Sequence, residues 1–220
     1  MTLKKIIFPL IMSTFFVLTA CGESVDTQIY NHLEEAVSLE KGFEDQQTAI
    51  NNLEKKEQEI YEKIIELGMD DFDTIKELSV EATTVIDERA DKIEIEKNSI
   101  DESRVEFEKA ESLINEIDDE TVKDKAENMY EVMMERYDAY GILYEAYINS
   151  LNLERELYEM LQKDEMDQET LTAHIDKINE SYQVVIEANE TFNTYTSDYN
   201  QLKKEYYDVA DINVTYDNKN

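Results

Sequence analysis

From about residue 27 to residue 209 the apolar side chains recur in steps of three and four, the pattern of helices that each bury one face. The first seam runs through Leu39, Phe43, Ile50, Leu53, Ile60, Ile64 and Leu67, interrupted by Gln46 and Glu57. Gly68 stands where a terminal glycine would end a helix, and Asp70 and Asp71 precede the next start, so the first helix is predicted over roughly 27–67. A second seam reads Phe72, Ile75, Ala82, Ile86, Ile93, Ile100, Phe107, Ala110, Ile114 and Ile117. It is thin, because Ser79, Arg89, Glu96 and Ser103 hold its remaining positions. Continued in the same phase, it lands only on polar residues such as Thr121, Asp124 and Asn128, while a new phase starts at Val122, Ala126, Met129 and Met133. A turn is therefore predicted at Asp118-Asp119-Glu120, acids that suit the positive end of the following helix.

The third helix, about 121–162, is rich in tyrosine, and the fourth, about 167–209, carries Leu171, Ile175, Ile178, Val185, Phe192, Tyr199 and Tyr206. Between them the apolar phase nearly survives, so the turn at 163–167 rests on polarity and on Asp167 as a cap. Four segments of similar length with short links predict an all-α fold, an elongated antiparallel up-down bundle of four long helices. At 1.5 Å per residue each helix would be about 60–65 Å long. A three-helix spectrin-like arrangement is the alternative.

The chain ahead of these seams is different. Lys4 and Lys5 precede an uncharged run from Ile6 to Leu18, too short to span a bilayer comfortably as a mature helix. The run ends in Leu18-Thr19-Ala20-Cys21. This resembles the lipobox of bacterial lipoprotein precursors. The resemblance implies that residues 1–20 are a signal peptide removed by cleavage before Cys21. The Cys21 thiol would carry diacylglyceryl, and the protein would be held by lipid on the extracytoplasmic face of the membrane. Each buried CH₂ contributes about 0.8 kcal/mol, so two acyl chains hold a protein far longer than one. Residues 21–27 then form a short acylated tether, 28–210 the helical domain, and the polar stretch 211–220 a disordered tail.

Composition narrows the function. Cys21 is the only cysteine, which removes disulfides and thiolate metal sites. The one proline is Pro9, and the glycines are Gly22, Gly42, Gly68 and Gly141, so little interrupts a helix. Loss of Lys4 and Lys5 with the leader takes the net charge from −32 to −34. That excludes nucleic acid as a partner, since its binding depends on cations meeting phosphate. It also excludes simple charge attraction to anionic lipid or anionic wall polymers.

Little catalytic chemistry is on offer. His32 and His174 each fall on or beside an apolar face and could meet only if the first and fourth helices are neighbours. No Glu-x-x-His pair, phosphate-binding glycine loop or EF-hand pattern occurs. The acidic clusters Asp70-Asp71, Asp118-Asp119-Glu120 and Asp164-Glu165 read first as solvated helix caps, with weak divalent-cation binding as the other reading. No cofactor or metal is implied. The tyrosines are the best lead, because aromatic rings stack on sugars and their hydroxyls form hydrogen bonds. Tyr137, Tyr140, Tyr144 and Tyr147 span a wide arc of the third helix beside Gly141, which would leave a shallow notch; packing in the core is the stronger reading for the same rings.

The lipobox, the proline-free acidic helical body and the glutamate-lysine-rich seams together resemble the YkyA-like family of lipoproteins from Gram-positive bacteria, for which cell-wall binding is proposed. The resemblance implies a helical bundle between membrane and wall, and supplies no catalytic residues. The leading expectation is a non-enzymatic module at the envelope, anchored through Cys21, that binds peptidoglycan or acts as a spacer and has no deep pocket. The alternative is a helical partner-binding subunit of a membrane or secretion complex, for which the polar positions Ser79, Arg89, Glu96 and Ser103 would leave one face unfilled. An enzyme would need a convergent acid-base pair in a buried pocket, and the seams announce none.

Overall fold

The computed structural model describes residues 23–67, 71–163 and 167–212. The lipobox with Cys21, the glycines at 22 and 68, Asp70, the pair Asp164-Glu165 and most of the tail lie outside the described residues. Among the described residues six helices follow one another: α1 (Val25–Leu39), α2 (Lys41–Glu66), α3 (Phe72–Phe107), the short α4 (Ala110–Ile114), α5 (Glu120–Leu161) and α6 (Gln168–Val209). The protein is an all-α bundle of four long runs, two of them bent, and the described residues contain no strand. With 42 residues each, α5 and α6 are about 63 Å long.

Side-chain pairs establish that successive runs are antiparallel. Gln47 meets Glu96 and Lys56 meets Glu81 across α2 and α3. Arg104 meets Asp138 and Arg155 meets Asp87 across α3 and α5. Lys125 meets Glu205 and Arg136 meets Thr196 across α5 and α6. The helix ends follow the capping rules: Asp119 Oδ1 accepts from the N–H groups of Thr121 and Val122, and Asp167 Oδ2 from that of Thr170. α5 starts at Glu120 and α6 at Gln168, each within a residue of the start anticipated from the sequence.

Three expectations need correction. The first run starts at Val25, capped by Ser24, two residues before the start predicted at about 27. Ile29, Leu33 and Ala36 are fully buried there, although the first seam starts only at Leu39. That run also breaks at Glu40, and the second breaks at Glu108 and Lys109. The break at Glu40 is stabilised from outside: Ser99 of α3 donates to the Leu39 carbonyl at 2.7 Å and accepts from the Phe43 N–H at 3.1 Å. Gly42 permits that approach, because a Cβ there would stand 2.9 Å from Ser99 Cβ.

The core is divided into two clusters. One gathers Ile29, Leu33, Phe107, Met129, Tyr199 and Tyr206 where α1 and α4 meet the end of α6. The other gathers Ile60, Ile86, Leu151, Tyr158 and Ile178 at the opposite end. Ile50, Ile93 and Ala188 are buried but belong to neither. At their level the apolar packing gives way to polar residues and open space.

Candidate functional site

The opening lies between α2 and α6. Successive runs pack with their backbones close, but no Cα of α6 comes within 8 Å of one in α1 or α2. Long side chains alone bridge this seam. Tyr206 and Tyr207 donate to Asp26 and Glu34 of α1 at 3.2 and 2.9 Å, and the Phe43 and Phe192 rings meet at 5.8 Å. Arg136 of α5 is the strongest bridge. Its guanidinium grips both carboxylate oxygens of Glu40 at 2.7 Å, donates to Thr196 of α6 at 2.8 Å and covers the Phe192 ring. The kinked α1–α2 run is thereby tied to α5 and α6 at one buried point.

Beside this clamp lies a cavity of about 530 Å³, within the size range of small-molecule sites. Amides line it from two sides, Gln47 and Asn51 from α2 and Asn189 and Asn193 from α6. Aromatic rings supply the rest: Phe43, Phe192, Tyr140, Tyr144 and Tyr147. Glu96 reaches in from α3, 3 % exposed, where its Oε1 accepts from Gln47 at 2.7 Å. Burial pushes its carboxyl up to about 7, the Gln47 hydrogen bond opposes that, and nearby Glu54 adds to it. Near neutrality a large share of Glu96 is therefore protonated and can donate as well as accept. An envelope module without a deep pocket was the expectation; the two-cluster core and the parted α2–α6 seam leave a half-open cavity there.

The four candidate tyrosines divide. Tyr137 is turned inward, its hydroxyl 2.7 Å from Ser103 and its ring against Phe107. Tyr140 is buried yet lines the cavity, and Tyr144 and Tyr147 line it half-buried. Tyr147 donates to Glu54 at 2.7 Å and accepts from Arg89 at 2.9 Å, and Tyr144 donates to Glu94 at 2.9 Å. Gly141 faces a separate shallow depression, with nothing within 4 Å of where a Cβ would stand.

The polar positions of the thin seam are inside the bundle. Ser79 and Ser103 are fully buried, Arg89 is 5 % exposed and Glu96 3 %. Ser79 donates to the Ile75 carbonyl at 2.8 Å, and Arg89 is held by Glu57, Glu154 and Tyr147. They do not leave an unfilled face for a partner helix. The Glu57 carboxyl is pushed up to about 7 by burial and by neighbouring Glu154, against the pull of Arg89.

The two histidines are apart. His32 Nδ1 pairs with Glu106 at 2.7 Å near the α1 end, and His174 Nε2 meets the Leu153 carbonyl at 2.8 Å near the start of α6. The first and fourth runs are neighbours, but antiparallel, which puts these residues at opposite ends. Asp119 and Asp167 serve as caps, and among the described residues no group of three or more ligating side chains is placed to hold a metal. Nor is any helix among them long and apolar enough to cross a membrane. Glu40, Arg136 and Glu154 were missed by sequence reasoning; their signal is a charge standing in an apolar phase, Arg136 after Met129 and Met133, and Glu154 between Leu151 and Tyr158.

Comparison with known proteins fits this architecture. A curated relative, "Uncharacterized lipoprotein YkyA" of Bacillus subtilis (strain 168), is 32 % identical over 199 residues, covering 90 % of this chain and 89 % of the relative. A crystal structure of a conserved protein of unknown function from Staphylococcus aureus superposes with a TM-score of 0.74 at 17 % identity, covering 83 % of this chain and 93 % of that one. The latter likeness concerns the fold alone. The model of the family described as "YkyA: Putative cell-wall binding lipoprotein" matches residues 24–209, the whole of the helical body, and this chain belongs to that family.

Proposed function

We propose that the protein is a non-enzymatic, lipid-anchored module on the extracytoplasmic face that binds the glycan of the cell wall in the cavity between α2 and α6. The observation that carries this reading is the cavity's lining. Four amides from opposing helices can bond to hydroxyl and acetamido groups, while the rings of Phe43, Tyr140, Tyr144 and Phe192 line the space with apolar surface suited to the apolar side of a pyranose. The family's description supports a wall ligand. A protein of net charge −32 gains nothing from electrostatic attraction to an anionic wall, so recognition must be by fit to uncharged groups. The membrane end of the module is Cys21, acylated after cleavage as its lipobox implies.

Co-sedimentation with purified peptidoglycan tests the reading. The wild-type protein should be retained, with little change on raising the salt, because exposed charges are already screened beyond about 8 Å at physiological ionic strength. The double variant Asn189→Ala/Asn193→Ala should be released. Equal retention of the two, or no retention of either, would overturn the assignment.

A further inference from the structure

A second cavity, of about 410 Å³, lies further along the same seam towards the start of α6. One wall is apolar, formed by Leu157, Ile175 and Ile178. The rings of Tyr61, Tyr158 and Tyr182 stand around it, with Tyr182 at the rim, 39 % exposed. The remaining side holds three carboxylates, Glu54, Glu57 and Glu154, and Arg89 is the one cation lining the space. Arg89 is shared among all three, at 2.8 Å from Glu154 Oε2 and 3.7 Å from Glu54, with Glu57 in direct contact. Fully ionised, the group is short of two positive charges.

Glu154 carries the decisive feature. It is 2 % exposed, and its second oxygen, Oε1, has no hydrogen-bond partner among the described residues. Burial, and then the neighbouring Glu154 carboxylate with which its hydroxyl interacts, push the ionisation of Tyr182 up, but no hydrogen bond of normal geometry closes between that hydroxyl and Oε1. A buried carboxylate oxygen without a donor is costly, and proteins keep such groups where something completes them. Among the described residues no three ligating side chains converge as a metal ion requires. The shape instead suits a charged head on an apolar stem.

We propose that this cavity binds an alkylammonium group, with Glu154 Oε1 accepting from the ammonium, the tyrosine rings flanking it, and the stem against Leu157, Ile175 and Ile178. Cations over aromatic faces beside a carboxylate form a recurrent site for amines. The group can be carried on a peptide, as a lysine-type side chain, or belong to a free amine. The site is distinct from the proposed glycan cavity and does not depend on that assignment.

Calorimetric titration of the lipidated full-length protein in detergent, with Nα-acetyl-lysine amide and with cadaverine, tests it; 1-pentanol serves as the uncharged control. Saturable binding of either amine with none of 1-pentanol supports the site, and the preferred amine tells a peptide-borne group from a free one. Glu154→Gln should weaken binding at least about tenfold, equivalent to 1.4 kcal/mol, and Tyr182→Ala should weaken it with an unchanged helical circular dichroism spectrum. Should Glu154→Gln lose its helical spectrum, Tyr182→Ala decides. No binding of either amine up to about 10 mM, that is, nothing stronger than about −2.7 kcal/mol, overturns the proposal. So does wild-type affinity in the folded variants, or equal binding of 1-pentanol.

Discussion

Replacing Glu96 with glutamine should stabilise the protein at alkaline pH and leave it unchanged under acid. Glu96 is 3 % exposed and rises from 4.5 to about 7 in the fold, chiefly because burial penalises its charged form. Arg136 lines the same cavity but is engaged by Glu40, and α6 contributes the uncharged Asn189 and Asn193 there. One pKa unit corresponds to about 1.4 kcal/mol, so ionising Glu96 inside the fold costs on the order of 3 kcal/mol. The sign follows from proton counts. Between pH 4.5 and about 7 the folded state holds a proton that the unfolded state has released, so this contribution to stability falls as pH rises. Glutamine does not titrate, and its carbonyl can still accept from Gln47. The advantage of Glu96→Gln over wild type should therefore be near zero below pH 4.5, grow through that window, and level off above pH 7. Urea unfolding at pH 5 and pH 8 measures it: with a slope of about 2 kcal/mol per molar, the midpoints should diverge by about 1–1.5 M at pH 8. Midpoints that stay a constant distance apart at both values would refute a buried, uncompensated Glu96.

Other substitutions probe the packing around the cavity and the anchor. Gly42→Ala should destabilise by about 1–3 kcal/mol through overpacking against Ser99, despite alanine's better helix propensity, whereas Gly141→Ala should stabilise by up to about 1 kcal/mol; thermal melts of the two should shift in opposite directions. Arg136→Met leaves the half-buried Glu40 without its partner and should cost about 2–4 kcal/mol in chemical denaturation, somewhat less than for a fully buried pair, with Glu40→Gln/Arg136→Met recovering part of it in a double-mutant cycle. If lipid on Cys21 is the anchor, as proposed, Cys21→Ala should move the protein from the membrane fraction to the medium; among the described residues no helix is long and apolar enough to span a membrane. Membrane retention of that variant, at wild-type levels, would contradict anchoring through this residue.

Much of the architecture was legible in the spacing of apolar residues. The phase change between Ile117 and Val122 located the α4–α5 turn, and Asp167 marked the start of α6 although the apolar phase ran nearly unbroken across it. Both signals are local: a helix needs a face and a cap. The break at Glu40 was invisible because nothing in Leu39-Glu40-Lys41 forbids a helix. Ser99, about sixty residues on, replaces the hydrogen bonds lost there, and Gly42 permits the contact. The site was visible only in outline. Glu57, Arg89 and Glu96 stood out as interruptions of apolar seams, but an interruption reads equally as a gap in packing. Which residues answer them depends on how α2, α5 and α6 are set around α3, and that is fixed by tertiary packing. The tyrosines show the same limit, since Tyr137 and Tyr140 are three residues apart on one helix, yet only Tyr140 reaches the cavity.

Titration of the full-length lipidated protein with the disaccharide N-acetylglucosaminyl-N-acetylmuramic acid, followed by calorimetry, tests the glycan site most directly. Binding at one site per chain is expected, together with its loss in Asn189→Trp, where an indole fills the space between α2 and α6 without altering the helical spectrum. A disaccharide that gives no saturable heat with wild type, or binds Asn189→Trp equally well, would place wall recognition elsewhere or remove it altogether.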